Sequence, residues 1–269
     1  MLFRSGVSGA GKSTFIKHIL GLLTAETGSI RVFGMDPVRD LVPVLRDIGY
    51  LSEERDLPGW MRVSELMKYT AAYHPGWDSG YAGELLRSFG LDPRKKIKSL
   101  SKGMRAQAGL IAAVAHRPPL LLLDEPSSGL DAVARKDILN AIVRAVAEDQ
   151  RTVLFSSHLL DEVERMSDYV ALMHEGSVVL HGDLNDVKND HHVLRIRFAA
   201  APLETPQLEG LLSIEGADRS WTGVCNGGFD RVREELTAMG GEIVHSQNAS
   251  LEEIFIARVG RKFLPSETN

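Results

Sequence analysis

Only one cysteine, Cys225, occurs in 269 residues, so no intramolecular disulfide framework can staple this fold, and the chain suits a reducing compartment. Long apolar runs are missing too. Leu120 to Leu123 is short, and the alanine-rich stretch from Ala106 to Ala115 is broken by Gln107 and Gly109, so nothing approaches the roughly 20 residues that span a bilayer. Met1-Leu2-Phe3-Arg4-Ser5 is too short for the apolar part of a signal peptide, and none is expected. There is no basic excess: the formal net charge of −5 offers no electrostatic footprint for nucleic acid, and no nucleic-acid partner is expected. Internal repeats, heptad runs and low-complexity tracts are also lacking. What remains, 43% hydrophobic and 25% charged residues, is globular in composition and long enough for one large domain or a main domain with a small one.

What is present begins with Gly6-Val7-Ser8-Gly9-Ala10-Gly11-Lys12-Ser13-Thr14, which fits the phosphate-binding pattern G-x-x-x-x-G-K-[ST]. Gly6, Gly9 and Gly11 let successive N–H groups point into one concavity that cradles a polyphosphate. Lys12 reaches the outer phosphates as a point charge, and the Ser13 hydroxyl is available to Mg²⁺. Thr14 to Leu20 then begins a helix whose positive end faces the anion. Such a loop normally follows a buried strand. Only five residues precede Gly6, so at most a stub of strand is expected there.

Further along, Ser29 to Gly34 alternates like a strand, and Asp47 to Leu51 is a second short apolar run leading into an exposed acidic loop, Ser52-Glu53-Glu54-Arg55-Asp56. Helical spacing runs from Val63 to about Gly90, with Ser64 as a candidate N-cap and Pro75-Gly76 dividing two helices. The basic stretch Arg94-Lys95-Lys96 with Lys98 reads as a solvated loop, and a helix follows from about Met104 to Ala115. Leu120-Leu121-Leu122-Leu123-Asp124-Glu125-Pro126 is a strand buried on both faces that ends in two carboxylates, where parallel sheets place their ligands. After Ser128-Gly129-Leu130-Asp131 a helix extends to about Glu148, and Thr152 to Ser157 is a buried strand with His158 just past its end. A helix from Leu159 to Met166, strands at Tyr169 to Met173 and Ser177 to His181, and a Glu175-Gly176 turn complete an alternation that predicts a mostly parallel sheet. Near Asn189 the character changes: an alternating strand at Val193 to Phe198, a helix from Phe229 to Met239, a strand at Glu242 to His245 and a capping box at Ser250-Leu251-Glu252-Glu253 predict a small α+β domain.

Taken together, a phosphate loop, an acidic loop, Leu-Ser-x-Gly, a strand ending Asp-Glu, Ser-Gly-Leu-Asp and a strand ending in His resemble the ATP-binding-cassette (ABC) transporter ATPases over roughly Gly6 to Lys188. The resemblance implies an α/β fold: a P-loop NTPase (RecA-like) parallel sheet with an inserted helical subdomain at about 60–115, together forming residues 1–189, and a small α+β domain at 190–269. By matching position, Gly6 to Thr14 is similar to the Walker A loop, Glu53 stands at the Q-loop glutamine, and Leu100-Ser101-Lys102-Gly103-Met104 resembles the signature. Leu120 to Asp124 is similar to Walker B, Glu125 to the catalytic glutamate, Ser128 to Asp131 to the D-loop and His158 to the switch histidine.

The resemblance thus implies ATP and Mg²⁺ as ligands, with Lys12, Glu125 and His158 in catalysis. Gly6, Val7, Ser8, Gly9, Ala10, Gly11, Lys12, Ser13 and Thr14 would bind nucleotide, as would Ser101, Gly103 and Asp131, the signature acting on ATP held by a partner cassette. Ser13, Asp124 and Glu53 would serve the metal. Glu53 in place of glutamine keeps a metal-binding oxygen and adds charge, while Lys102 and Met104 leave Ser101 and Gly103 as the polar core of the signature. The implied function is an ATP-hydrolysing subunit that dimerises, as a homodimer, and powers transmembrane permease subunits from the cytoplasmic face of the cell membrane. The signature and the C-terminal Ser-Leu-Glu-Glu-Ile-Phe resemble bacterial ABC-2 exporters. In this family, strands and an adenine-stacking aromatic precede Walker A, so the resemblance implies an N-terminally truncated cassette. The alternative function is a nucleotide-binding regulator or an inactive paralogue. Soluble cassette proteins that act on the ribosome carry two cassettes or coiled-coil and zinc insertions, which this sequence lacks.

Overall fold

The computed structural model describes residues 2–5, 9–149 and 151–260. The chain divides into two compact units, one ending at His158 and one beginning at Leu159.

In chain order the first unit contains β1 (Leu2–Ser5), α1 (Lys12–Ile19), α2 (Leu41–Arg46), β2 (Ile48–Leu51), α3 (Val63–Tyr73), α4 (Ser79–Ser88), α5 (Lys102–Val114), β3 (Leu120–Asp124), α6 (Ala132–Asp149) and β4 (Thr152–Ser157). Its strands lie in the order β2-β3-β4-β1, and every pairing is parallel. Leu121, Leu122 and Leu123 are wholly buried. A strand covered on both faces carries an unbroken apolar run rather than an alternating one, and each leucine so buried contributes about 1.5–3 kcal/mol. Ile16 of α1, Leu20 just past its end, Val44 of α2, Ile48 of β2, Leu122 and Leu154 belong to one core cluster. This packing anchors α1 beneath the strand ends and so fixes the start of α1 in space. Strand β1 is the short stub that the sequence predicts, in register with β4 from Leu2 opposite Leu154 to Ser5 opposite Ser157.

Two local expectations are corrected. Residues 29–34 do not form a strand: Val32 and Met35 exchange N–H···O bonds of 2.9 and 3.0 Å across a two-residue turn, Phe33 and Gly34, both at positive φ. An isolated alternating segment has no ladder to join, and the primed turn closes it on itself. Ser64 is not an N-cap either. The cap position of α3 is Arg62, whose N–H donates to Glu65 Oε2 at 2.7 Å, while the Val63 and Ser64 N–H groups donate to the carbonyls of Lys95 and Pro93. Backbone carbonyls from the neighbouring loop satisfy donors that a capping hydroxyl would otherwise take.

The second unit contains α7 (Leu160–Met166), β5 (Tyr169–His174), β6 (Ser177–Asp183), α8 (Leu184–Asp190), β7 (His191–Phe198), β8 (Leu211–Ala217), β9 (Ser220–Asn226), α9 (Phe229–Ala238), β10 (Gly241–Asn248) and α10 (Leu251–Val259). Strands β5 and β6 form an antiparallel hairpin closed by Glu175 and Gly176, both left-handed. A four-stranded antiparallel sheet follows in the order β10-β7-β9-β8. Strand β7 buries Leu194, Ile196 and Phe198 together with Val232 and Leu236 of α9, and exposes Arg195 and Arg197 between them. The predicted capping box holds the start of α10: the Ser250 N–H donates to Glu253 Oε2 at 2.8 Å and the Glu253 N–H to Ser250 Oγ at 3.2 Å.

Candidate active site

The parallel pairing of β3 and β4 sets Asp124 opposite Ser156 at the carboxyl edge of the sheet. Ser156 Oγ donates to Asp124 Oδ1 at 2.5 Å and accepts from the Glu125 N–H at 3.0 Å. Asp124 is thereby held in place with 3% of its surface exposed. At Glu125 the backbone turns left-handed, φ +48°, a conformation that costs a non-glycine residue on the order of 1 kcal/mol and persists only where its surroundings enforce it.

The turn sends the Glu125 carboxylate into a cage of donors. Its Oε1 lies 3.5 Å from Lys12 Nζ, and its Oε2 lies 2.8 Å from His158 Nδ1 and 3.4 Å from the His158 backbone N. The Lys12 and Glu125 side chains are each 7% exposed, whereas that of His158 is 45% exposed. Lys12 opens α1 directly after Gly11, which takes φ +96°, and Gly9 takes φ +85° with open space where a Cβ would lie. Those two glycines supply the left-handed backbone that a phosphate cradle requires. Ala10 is buried, Ser13 half-buried and Thr14 exposed, while Gly6, Val7 and Ser8 lie outside the described residues.

A second group forms on the starts of α5 and α6. Ser101 Oγ accepts from the Met104 N–H at 3.2 Å and caps α5, and Asp131 Oδ1 accepts from the Val133 and Ala134 N–H groups at 3.0 and 2.9 Å and caps α6. Gly103 sits between them: a Cβ there would stand 2.7 Å from Ala134 Cβ and 3.7 Å from Asp131 Oδ2. Gln107 Nε2 ties the same two helices through Asp137 at 3.2 Å. Of the sequence-predicted residues, then, Lys12, Asp124, Glu125 and His158 share one cluster, and Ser101, Gly103 and Asp131 share another.

Glu53 is exposed and lines a pocket of about 320 Å³ with Glu54, Arg55, Lys102 and Arg105. Arg55 was not legible as a site residue, since one arginine among acids reads as part of a solvated loop. It is instead 4% exposed, and its Nη2 donates to the carbonyls of Glu125, Pro126 and Ser128 at 3.4, 3.1 and 3.0 Å. Burial lowers the pKa of Arg55, with Glu53 pulling the other way.

No group of three or more His, Cys, Asp or Glu side chains arranged to hold a metal occurs among the described residues. Mg²⁺ needs no such cage, because it takes one or two carboxylates and fills its octahedron with phosphate oxygens and water. Asp124 and Ser13 are hard oxygen donors that fit this pattern. Nearby, burial, then Asp124 and Glu54, push the Tyr50 hydroxyl up to about 12.

Residues 2–128 match the ABC transporter family. The uncharacterised ABC transporter ATP-binding protein YhaQ of Bacillus subtilis (strain 168) is 33% identical over 275 residues, a span that covers 95% of this chain and 88% of that protein. The chain belongs to the ABC transporter ATP-binding family. The cassette is an ATP-binding subunit of that class. It is also 35% identical to the daunorubicin/doxorubicin resistance ATP-binding protein DrrA of Streptomyces peucetius over 78% of this chain and 65% of that one. A solved ATP-binding subunit of an ABC transporter superposes with a TM-score of 0.64 at 30% identity, covering 70% of this chain and 80% of its own. The α/β P-loop fold implied by the resemblance is thereby shown. Among the described residues no helix is long and apolar enough to cross a membrane.

Proposed function

We propose that this cassette hydrolyses MgATP as a homodimer and drives the permease subunits of an exporter from the inner face of the membrane. One observation carries the reading: a buried carboxylate, Glu125, is aimed by Lys12 on one oxygen and His158 on the other. Phosphoryl transfer to water asks a protein for charge neutralisation around the γ-phosphate and an oriented nucleophile. Lys12 and the N–H groups at the start of α1 serve the first need. Ser13 and Asp124, with Glu53 as a further oxygen donor from the pocket, would hold Mg²⁺, which supplies additional positive charge at the β- and γ-phosphates when bound. Glu125 takes the water's proton as a general base, and His158 fixes the carboxylate that does so. Ser101 and Gly103 lie on a separate cluster with Asp131, which supports their use on nucleotide held by the partner cassette.

On this reading residues 1–189 are the ATPase domain with its helical subdomain at about 60–115, and 190–269 the small C-terminal domain, a boundary that falls later in the chain than the end of the first compact unit at His158. Support for that division comes from the antiparallel sheet, which starts at His191. The likeness to DrrA supports export as the direction of transport. Phosphate release from MgATP by the purified chain tests the reading. The expected outcome is turnover that Lys12→Ala and Glu125→Gln abolish. Nucleotide binding with no turnover in the wild-type chain would contradict it and favour a nucleotide-binding regulator.

A further inference from the structure

The segment from Glu125 to Ser128 is held by a residue that lies far away in sequence. Three carbonyls, those of Glu125, Pro126 and Ser128, converge on a single nitrogen, Arg55 Nη2, at 3.4, 3.1 and 3.0 Å. Carbonyl dipoles aimed at one point repel each other unless a cation or a donor occupies that point. Glu125 and Pro126 are buried, so water has little access to fill that place. The segment also begins at a left-handed glutamate and folds back on itself, with the Ser128 N–H donating to the Glu125 carbonyl at 3.2 Å and the Leu130 N–H to Ser127 at 3.3 Å. The Glu125 carbonyl therefore accepts from both Ser128 and Arg55. Without the guanidinium, two buried acceptors and one half-buried one lose their common donor, and the left-handed turn loses part of what enforces it.

We infer that Arg55 is a positioning residue: it locks the 125–128 turn and through that turn aims the Glu125 carboxylate at its reacting site. The inference rests on the reading of Glu125 as the group that activates water. The hydrogen bonds of Arg55 go to the backbone that carries the Glu125 carboxylate. Its Nε and Nη1 have no hydrogen-bond partner among the described residues, so its donor function there is concentrated in the nitrogen that meets the three carbonyls. Arg55 also lines the pocket shared by Glu53, Glu54, Lys102 and Arg105, which places the lock on the wall of that pocket.

The test uses the full chain and two readouts. Arg55→Met keeps an apolar stem and removes the donor; Arg55→Lys keeps a cation with three donors on a stem one bond shorter. Misaiming a reacting group by about 1 Å costs up to about 100-fold, so Arg55→Met is expected to lower kcat by at least about 10-fold while the Kd for MgATP stays within about 3-fold. Arg55→Lys is expected to regain at least about 3-fold of that loss, because an ammonium can serve the same three acceptors. Amide exchange supplies the second readout: at Ser128 and Leu130 it should quicken by about 10-fold in Arg55→Met, with β3 unchanged. Arg94→Met, at an exposed residue outside the site, is the control and should leave both readouts as they are.

Unchanged kcat in a folded Arg55→Met, or a lowered kcat with unchanged exchange at 125–131, overturns the inference. Should Arg55→Met fail to fold, Arg55→Lys decides: kcat at the wild-type level together with quickened exchange at Ser128 would show that the lock does not aim the carboxylate. A wild-type chain that binds MgATP without turnover removes the ATPase reading, and exchange at Ser128 and Leu130 then settles the lock alone.

Discussion

His158 Nδ1 and Glu125 Oε2 stand 2.8 Å apart, joining the residue just past the end of β4 to the residue just past the end of β3. Adjacent parallel strands that end level with one another make this pairing a product of the sheet rather than of a loop. On the opposite side the same carboxylate meets Lys12. An acid so placed cannot swing away from its site without breaking both contacts.

Replacing Glu125 by Gln keeps the shape and removes the base, so kcat should fall at least about 100-fold with MgATP affinity retained, since general-base catalysis contributes about 10²–10⁴-fold. His158→Ala removes the orienting partner but not the base. Its kcat should fall by less, about 10-fold, in keeping with a positioning loss. Steady-state phosphate release and equilibrium nucleotide titration separate the two effects.

A methyl group at Gly103 has no room, because its Cβ would stand 2.7 Å from Ala134 Cβ. Both atoms sit on helices, so the start of α5 must move away from α6. Gly103→Ala should lower stability by about 1–2 kcal/mol and disturb the Ser101 cap. Thermal unfolding reads the first change, and ATP turnover should fall by more than that stability loss explains.

Legibility followed the physics of each signal. Strands β3 and β4, helix α6 and the Asp124, Glu125 and His158 positions were readable because a doubly buried strand leaves an unbroken apolar run with polar residues at its end. The Ser250-Glu253 box was readable because it is local. Arg55 was not, since its partners lie 70 to 73 residues away and nothing in the spacing marks them. Strands β8 and β9 were missed because Gly216 and Gly223 interrupt their pattern, and α8 because seven polar-rich residues carry little periodicity. The strand expected at 29–34 failed for a complementary reason: alternation states a propensity, while a strand requires a neighbour.

Acid should destabilise the first unit through His116. This residue is 8% exposed and stacks on His74 with ring centroids 3.8 Å apart. Burial, then His74, lower its pKa to about 4, with Arg151 adding to the effect and the Ile48 backbone and Asp47 opposing it. The unfolded chain takes up this proton near the usual value of about 6.5. Unfolding therefore binds a proton between those two values: stability is full above about 6.5 and is lost as pH falls toward 4, by no more than about 3 kcal/mol. His116→Phe, which preserves a stacked ring, should flatten the slope of denaturation midpoint against pH in that window.

Gly49 sits in β2 where α5 crosses it, and a Cβ there would lie 2.1 Å from the Ala113 carbonyl oxygen and 2.8 Å from Pro118 Cγ. Gly49→Ala must push a helix off the sheet, so a loss at the upper end of about 1–3 kcal/mol is expected. Urea unfolding should show a lower midpoint with an unchanged slope.

The most direct test of the account mixes two inactive variants. Lys12→Ala removes one cassette's own phosphate grip, and Ser101→Arg blocks the signature that it offers to its partner. If each active site combines the Lys12, Glu125 and His158 cluster of one chain with Ser101 and Gly103 of another, both variants are silent alone, and an equimolar mixture regains about a quarter of wild-type MgATP turnover, because half the dimers carry one intact composite site. A mixture as silent as its components, or a Ser101→Arg chain with full turnover alone, would contradict it.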